Sequence, residues 1–237
     1  MLKIIKRISR ALALVIVYIM CAYSYLSAKG FIIKDGIPVL NNTAQADTEF
    51  SEKVSGDVLL SPSQMRVEGK DNALLTIYAF SSMACSHCSD FHNYILPKIR
   101  RDFIETGKLK YIYVHFPIDA VSMRAAKLSY CLPPEKYEGF ISALYKKKDW
   151  FYSGKKEILN KYAKEFGMSD DDIKKCDDDK KLTSDILMTF NNALRTFNIE
   201  GTPSFIIQGK DGEELIKGSR SYDDLRDYLN KRLSGEK

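Results

Sequence analysis

The densest chemistry in this 237-residue chain lies in Cys85-Ser86-His87-Cys88. Two thiols with two residues between them can close into a disulfide and reopen, so the pattern points to thiol–disulfide exchange. The stretch follows the apolar run Ala73 to Phe80 and leads into Phe91 to Phe103, where Phe91, Tyr94, Ile95 and Ile99 recur at helical spacing. Cys85 therefore falls at a predicted helix start, where free N–H groups and the helix dipole favour a thiolate over a thiol. His87 can add a donor or a positive charge beside the same sulfur, and Cys88, deeper in the helix, reads as the resolving thiol. A sulfur stabilised in this way leaves a mixed disulfide quickly and makes the disulfide a stronger oxidant. Zinc competes for the motif, because Cys85, Cys88, His87 and His92 look like a ligand supply. A structural zinc site wants a second ligand pair at a suitable spacing, and the other cysteines form no second Cys-x-x-Cys, so no metal is assigned. His92, one turn further on, is placed to touch the site, and His115 reads as packing at a strand end. The exchange needs no dissociable cofactor.

Around the pair, the pattern of elements is regular. Ala73 to Phe80 is too short for a helix and rich in strand formers, which suits a strand buried on both faces. Pro97 predicts a kink in the following helix and Gly107 its end. Leu109 to His115 alternates as a second strand, parallel to the first by the crossover rule. From Phe116-Pro117 to Thr196 the pattern is helical, with room for about four or five helices. The runs Lys146-Lys147-Lys148, Asp170-Asp171-Asp172 and Asp177-Asp178-Asp179 read as solvated helix ends, since the acids lack the spacing of a calcium loop. Ser204 to Gln208 and Glu214 to Lys217 flank Gly209-Lys210-Asp211-Gly212 as a hairpin, and Ser221 with Asp224 caps a last helix carrying Leu225, Tyr228, Leu229 and Leu233. The plan is α/β: βαβ, a helical insertion, then ββα, giving a small mixed sheet with helices on both faces.

Thr202-Pro203 precedes the third of these strands. Proline cannot supply a ladder donor, so it belongs at the strand's start. A cis bond there would leave the backbone of Thr202 free to pair with an incoming peptide beside Cys85. Cis is the minority state of X–Pro bonds, and the residues alone leave the isomer open.

Hydrophobic residues make up 45% of the chain, as in an ordinary soluble core, and one catalytic domain with an appendage fits the length. Of the formal net charge of +5, residues 1–28 supply Lys3, Lys6, Arg7 and Arg10 with no acid, leaving +1 for the rest. That excludes a nucleic-acid footprint. The basic start precedes the uncharged run Ala11 to Ala28, an export pattern: a signal peptide cut after Leu26-Ser27-Ala28, or an anchor, since the run reaches the roughly 18 residues at which a spanning helix becomes possible. Positive charge on the N-terminal side puts the remainder outside the cytoplasm in both cases. Cys21 lacks the small residues before it that lipoprotein processing would need. Removing it leaves Cys85, Cys88, Cys131 and Cys176, an even number in an oxidising compartment. Residues 29–64, polar and without period, read as a linker. The boundaries are then 1–28 signal peptide or membrane anchor, 29–64 linker, and 65–235 the domain, with its helical insertion at about 119–196.

The chain resembles the DsbA-like thiol:disulfide oxidoreductases of the bacterial envelope, within the thioredoxin superfamily, over roughly residues 66–234. The carriers are Cys-Ser-His-Cys continuing as Ser89-Asp90-Phe91-His92, Gly107-Lys108 followed by a strand and Phe116-Pro117, Ala125-Ala126 in a helix ending at Cys131, and Gly201-Thr202-Pro203 before Phe205. The resemblance implies a thioredoxin fold with an inserted helical domain, Cys85 as exposed nucleophile, Cys88 as its partner, and a cis Pro203 beside them with Ser86 and Thr202 at the substrate face. It also implies a second, non-catalytic disulfide between Cys131 and Cys176; two buried thiols are the alternative. Three positions depart from the common family pattern. Ser86 replaces a proline, Thr202 replaces a valine, and Ala79 stands where many relatives carry an acid, which removes one candidate proton relay for Cys88.

The function expected from these features is a monomeric periplasmic protein dithiol oxidase, free after signal cleavage or tethered by residues 11–28. It would oxidise reduced, unfolded exported proteins and be reoxidised by a DsbB-like, quinone-linked membrane partner. An isomerase or reductase is the alternative that Thr202 favours, and a non-catalytic peptide-binding protein on the same fold is a third.

Overall fold

The computed structural model describes residues 20–21, 24–25, 31–34, 37–40, 50–153 and 155–235. The expected signal or anchor at 1–28 lies almost wholly outside them. Among the described residues no helix is long and apolar enough to cross a membrane. Residues 1–50 and 51–237 form separate compact units. In the first, β1 (Phe31–Lys34) pairs antiparallel with β2 (Ile37–Leu40).

The second unit is built on a six-stranded sheet. In chain order its strands are β3 (Glu52–Val54), β4 (Val67–Glu68), β5 (Leu75–Ser81), β6 (Leu109–His115), β7 (Ser204–Gly209) and β8 (Gly212–Lys217). Their spatial order is β3-β8-β7-β5-β6-β4. β5 and β6 are parallel, as their helical crossover requires, and every other pairing is antiparallel. Gly209 pairs with Gly212, so Lys210 and Asp211 make a two-residue hairpin loop.

The crossover helix α1 covers residues 86–104. Its turns alternate between α, at Ser86–Asp90 and Leu96–Ile99, and wider π turns, at Phe91–Ile95 and Arg100–Ile104. Pro97 lies at the start of the second α turn, directly after a wide one. A wide turn relieves the clash between the proline ring and the preceding carbonyls, so the helix continues past it. It stops at Gly107, which adopts a φ of 75°. Its N–H donates to the Ile104 carbonyl and that of Lys108 to Phe103, at 2.9 Å each, the paired bonds of a Schellman end.

The insertion contains α2 (Ala120–Cys131), α3 (Pro134–Lys146), the single turn α4 (Asp149–Tyr152), α5 (Lys156–Glu165), α6 (Asp170–Asp178) and α7 (Lys180–Phe197). That is one short turn more than the sequence pattern predicts. Asp170-Asp171-Asp172 opens α6, Asp177 and Asp178 close it, and Asp179 caps α7; Asp119 and Ser169 cap α2 and α6 in the same way, each accepting a backbone N–H. The closing helix α8 (Tyr222–Ser234) is capped by Ser221, which accepts the N–H of Asp224.

Alternation along the strands makes two buried faces. On one, Phe80, Ile112, Val114, Ile206 and Leu215 pack against Ala193, Phe197 and Ile199 at the end of α7. On the other, Phe205 meets Phe91 of α1 at 4.7 Å between ring centroids. Each fully buried Phe or Ile contributes about 1.5 to 3 kcal/mol of transfer free energy. This second face carries the cysteine pair.

The expectation of a featureless linker through residue 64 is corrected. β1 and β2 form inside it, and the sheet already begins at β3. Leu59 is also fixed to α7, its N–H donating to Asn192 Oδ1 and its carbonyl accepting from Thr189 Oγ1. β3 is a three-residue edge strand held by backbone bonds, which leave no apolar period to read.

Candidate active site

Cys85 is the N-cap residue of α1, with extended φ and ψ of −82° and 127°. Its carbonyl accepts the Ser89 N–H at 3.1 Å, so its side chain sits over the unpaired N–H groups of the first turn. Cys85 is half-buried and Cys88, one turn inside, is buried, and both are free thiols. From the strand next to β5, the loop before β7 brings in Thr202, whose carbonyl oxygen lies 3.3 Å from Cys85 Sγ. The Thr202–Pro203 peptide bond is cis.

These neighbours drive the two sulfurs apart in acidity. The Cys88 thiol donates to Cys85, and against the cost of partial burial the Thr202 side chain and the N–H groups of Cys88 and His87 add to it, bringing Cys85 down to about 5. Burial pushes Cys88 strongly up, and the neighbouring Cys85 reinforces the shift. One sulfur is an anion at neutral pH and the other a proton-bearing thiol, the asymmetry that directed thiol exchange needs.

Of the residues singled out in the sequence, Cys85, Cys88, Thr202 and Pro203 converge. Ser86 and His87 are exposed at the rim. His87 acts on Cys85 through its backbone N–H, because a first-turn residue directs its amide at the capping position. Cys131 and Cys176 are joined by a disulfide with a Cα–Cα distance of 6.1 Å, linking the end of α2 to α6.

The two remaining histidines are buried. His115 Nε2 lies 2.7 Å from Ser129 Oγ and 3.0 Å from Tyr137 Oη, and burial lowers it to about 3. His92 Nε2 lies 2.6 Å from Ser142 Oγ, and burial lowers it to about 4. Both therefore stay neutral at physiological pH.

The sequence pattern alone missed the polar cluster behind Cys88. Arg100 forks onto Glu68 at 2.6 and 2.9 Å and reaches Glu138 at 3.3 Å, and Tyr113 donates to Glu68. Burial acts against the Glu68 carboxylate, but Arg100 and Tyr113 hold it below the usual range. Glu138, Ser142 and Tyr145 fall on one face of α3 by their four- and three-residue spacing, a signal readable only once the helix is known to face the site.

The comparisons with known proteins agree with this geometry. A family model described as thioredoxin matches residues 61–231, and the chain belongs to that family. Within it, the chain is similar to DsbA-like thiol:disulfide oxidoreductases. The crystal structure of Wolbachia pipientis alpha-DsbA1 superposes with a TM-score of 0.66 at 27% identity, covering 75% of this chain and 94% of that one. Disulfide bond formation protein D of Bacillus subtilis is 26% identical over 72% of this chain and 78% of its own length. A Rickettsia conorii protein provisionally named a protein-disulfide oxidoreductase is 24% identical over 83% of this chain and 73% of its own length. Against further Rickettsia relatives the chain spans 61% to 63% of their length.

Proposed function

We propose that the chain is a protein dithiol oxidase that introduces disulfide bonds into exported proteins. The observation that carries this reading is the stabilised Cys85 thiolate: what stabilises the reduced form makes the Cys85–Cys88 disulfide a strong oxidant. A substrate thiolate attacks Cys85, a mixed disulfide forms, and Cys88 leaves. A second substrate thiolate then attacks the substrate sulfur of that mixed disulfide and releases the Cys85 thiolate. The substrate loses two electrons and the cysteine pair gains them. A DsbB-like membrane partner that passes the electrons to a quinone restores the disulfide. Ser86, Thr202 and Pro203 border the face where the substrate backbone docks, and His87 stands at its rim. Residues 1–28 act as a signal peptide or as a tether facing the periplasm, where the chain works as a monomer.

The experiment is the equilibrium of the Cys85–Cys88 disulfide with glutathione, with Cys131 and Cys176 intact. An oxidase gives a potential far above the roughly −270 mV of thioredoxin. A value near that of thioredoxin overturns the reading in favour of a reductase or isomerase, which Thr202 before the cis proline favours.

A further inference from the structure

Cys88 is 1% exposed, yet every turnover protonates or deprotonates it. Its proton needs a route, and Ala79, buried behind the sulfur on β5, offers none. Cys88 borders a cavity of about 10 Å³, lined also by Ser81, His92, Tyr111 and Tyr145. That is about the space one water-sized group occupies.

His92 shares the lining of this cavity with Cys88, and from its Nε2 a chain of hydrogen bonds runs outward. Ser142 Oγ donates to Glu138 Oε1 at 3.0 Å, so it must accept at its 2.6 Å contact with His92 Nε2. Neutral His92 therefore carries its proton on Nε2, leaving Nδ1 as the acceptor. Glu138, whose side chain is 46% exposed, brings the chain to solvent, and its Oε1 stands 3.9 Å from His92 Nε2. The charged groups acting on His92 are Glu138 and Lys146 of α3, Arg100 of α1 and Glu68 of β4. They flank a ring that burial otherwise keeps neutral, as a transient carrier requires.

We propose that His92, Ser142 and Glu138 form the proton path between the buried Cys88 sulfur and solvent. The inference rests on the exchange chemistry assigned above to Cys85 and Cys88. When a substrate thiolate attacks Cys85, the Cys85–Cys88 bond breaks, Cys88 leaves with the electron pair, and the path delivers its proton. In reverse, Cys88 loses that proton along the path as it attacks a Cys85 mixed disulfide and expels the bound thiolate. His92 takes a proton at Nδ1 as it yields one from Nε2 through Ser142 to Glu138, so the relay returns to its starting charge with only its tautomer to reset. His92 is a relay residue, and Ser142 and Glu138 act through it.

The test uses the full chain with Cys21→Ser, its Cys85–Cys88 pair reduced and the Cys131–Cys176 bridge intact, so that Cys85 and Cys88 are its only free thiols, mixed with 5,5′-dithiobis(2-nitrobenzoate). Attack by Cys85 releases one coloured thiolate, and attack by Cys88 on the resulting mixed disulfide releases a second. The relay predicts that Ser142→Ala lowers the ratio of second-phase to first-phase rate about tenfold, below the full range of acid–base effects because water partly substitutes. Ser142→Thr, which keeps the hydroxyl, restores the ratio, and the second-phase pH profile moves up only in the alanine variant. An unchanged ratio in Ser142→Ala, or equal slowing in both variants, overturns the relay. Release of only one thiolate by the otherwise unaltered chain would instead overturn the exchange reading.

Discussion

Thr202 holds its carbonyl oxygen 3.3 Å from Cys85 Sγ across a separation of 117 residues. The contact joins the helix-start sulfur to the loop entering β7, the neighbour of β5, and the Thr202 side chain adds to the lowering of Cys85 that the Cys88 thiol begins. Replacing Thr202 by valine keeps the carbonyl and removes the hydroxyl. The Cys85 pKa should then rise by about one pH unit, as loss of one hydrogen bond to an anion does, and the disulfide should become less oxidising. The pH dependence of iodoacetamide alkylation measures the first and the glutathione equilibrium the second. An unchanged midpoint would assign the lowering to the Cys88 thiol and the backbone amides alone.

The same alkylation separates the two thiols. Cys85 should react with a midpoint at about pH 5, and Cys88, buried and shifted upward, should stay unlabelled in the native protein. Because folding depresses the Cys85 value, the associated stabilisation of the reduced protein is full above the ordinary thiol range near 9 and disappears as pH falls through about 5. The stability difference between reduced and oxidised protein should shrink over that window. Equal labelling of both cysteines, read by mass spectrometry, would contradict the asymmetry.

The parts legible in the sequence are those fixed by local rules. β6 spans the residues its alternation marks, Gly107 ends α1, Ser221 caps α8 and Gly209 and Gly212 bound the hairpin. Cys85 at a helix start followed from the strand-to-helix change around it. What escaped depends on contacts between distant segments. Glu68 meets Arg100 from a two-residue edge strand, and Ser142 meets His92 from across the insertion, 50 residues away. Neither residue is unusual in its own neighbourhood. The sheet edge at β3 was hidden for the same reason, since backbone pairing with β8 selects no side-chain pattern.

The Cys131–Cys176 bridge spans 45 residues of the insertion and ties α2 to α6. Closing a loop of that length restricts the unfolded chain by about 3 to 4 kcal/mol in the chain-entropy model. The double variant Cys131→Ala/Cys176→Ala should lower urea-unfolding stability by about that amount or somewhat less. A change below about 0.5 kcal/mol, within the range of ordinary surface substitutions, would show that the bridge does not constrain the unfolded state.

His92 and His115 should make the fold sensitive to mild acid. Burial holds them at about 4 and about 3, against 6.5 for an unhindered imidazole. Between those values the unfolded chain binds a proton that the native state refuses, so stability rises with pH across the window and is lost as pH falls. The contribution is full above 6.5 and, from pH 7 to pH 5, each histidine should cost about 2 kcal/mol of unfolding free energy. Urea titrations at the two pH values measure the sum. Carboxylates contribute mainly lower, since Glu68 and Glu214 titrate below their usual range. His115→Asn isolates one imidazole: it loses stability at pH 7 through its bonds to Ser129 and Tyr137, but its further loss on going to pH 5 should be about half that of the parent. If the variant and the parent lose the same amount, His115 is protonated in the native state and its buried neutral form is refuted.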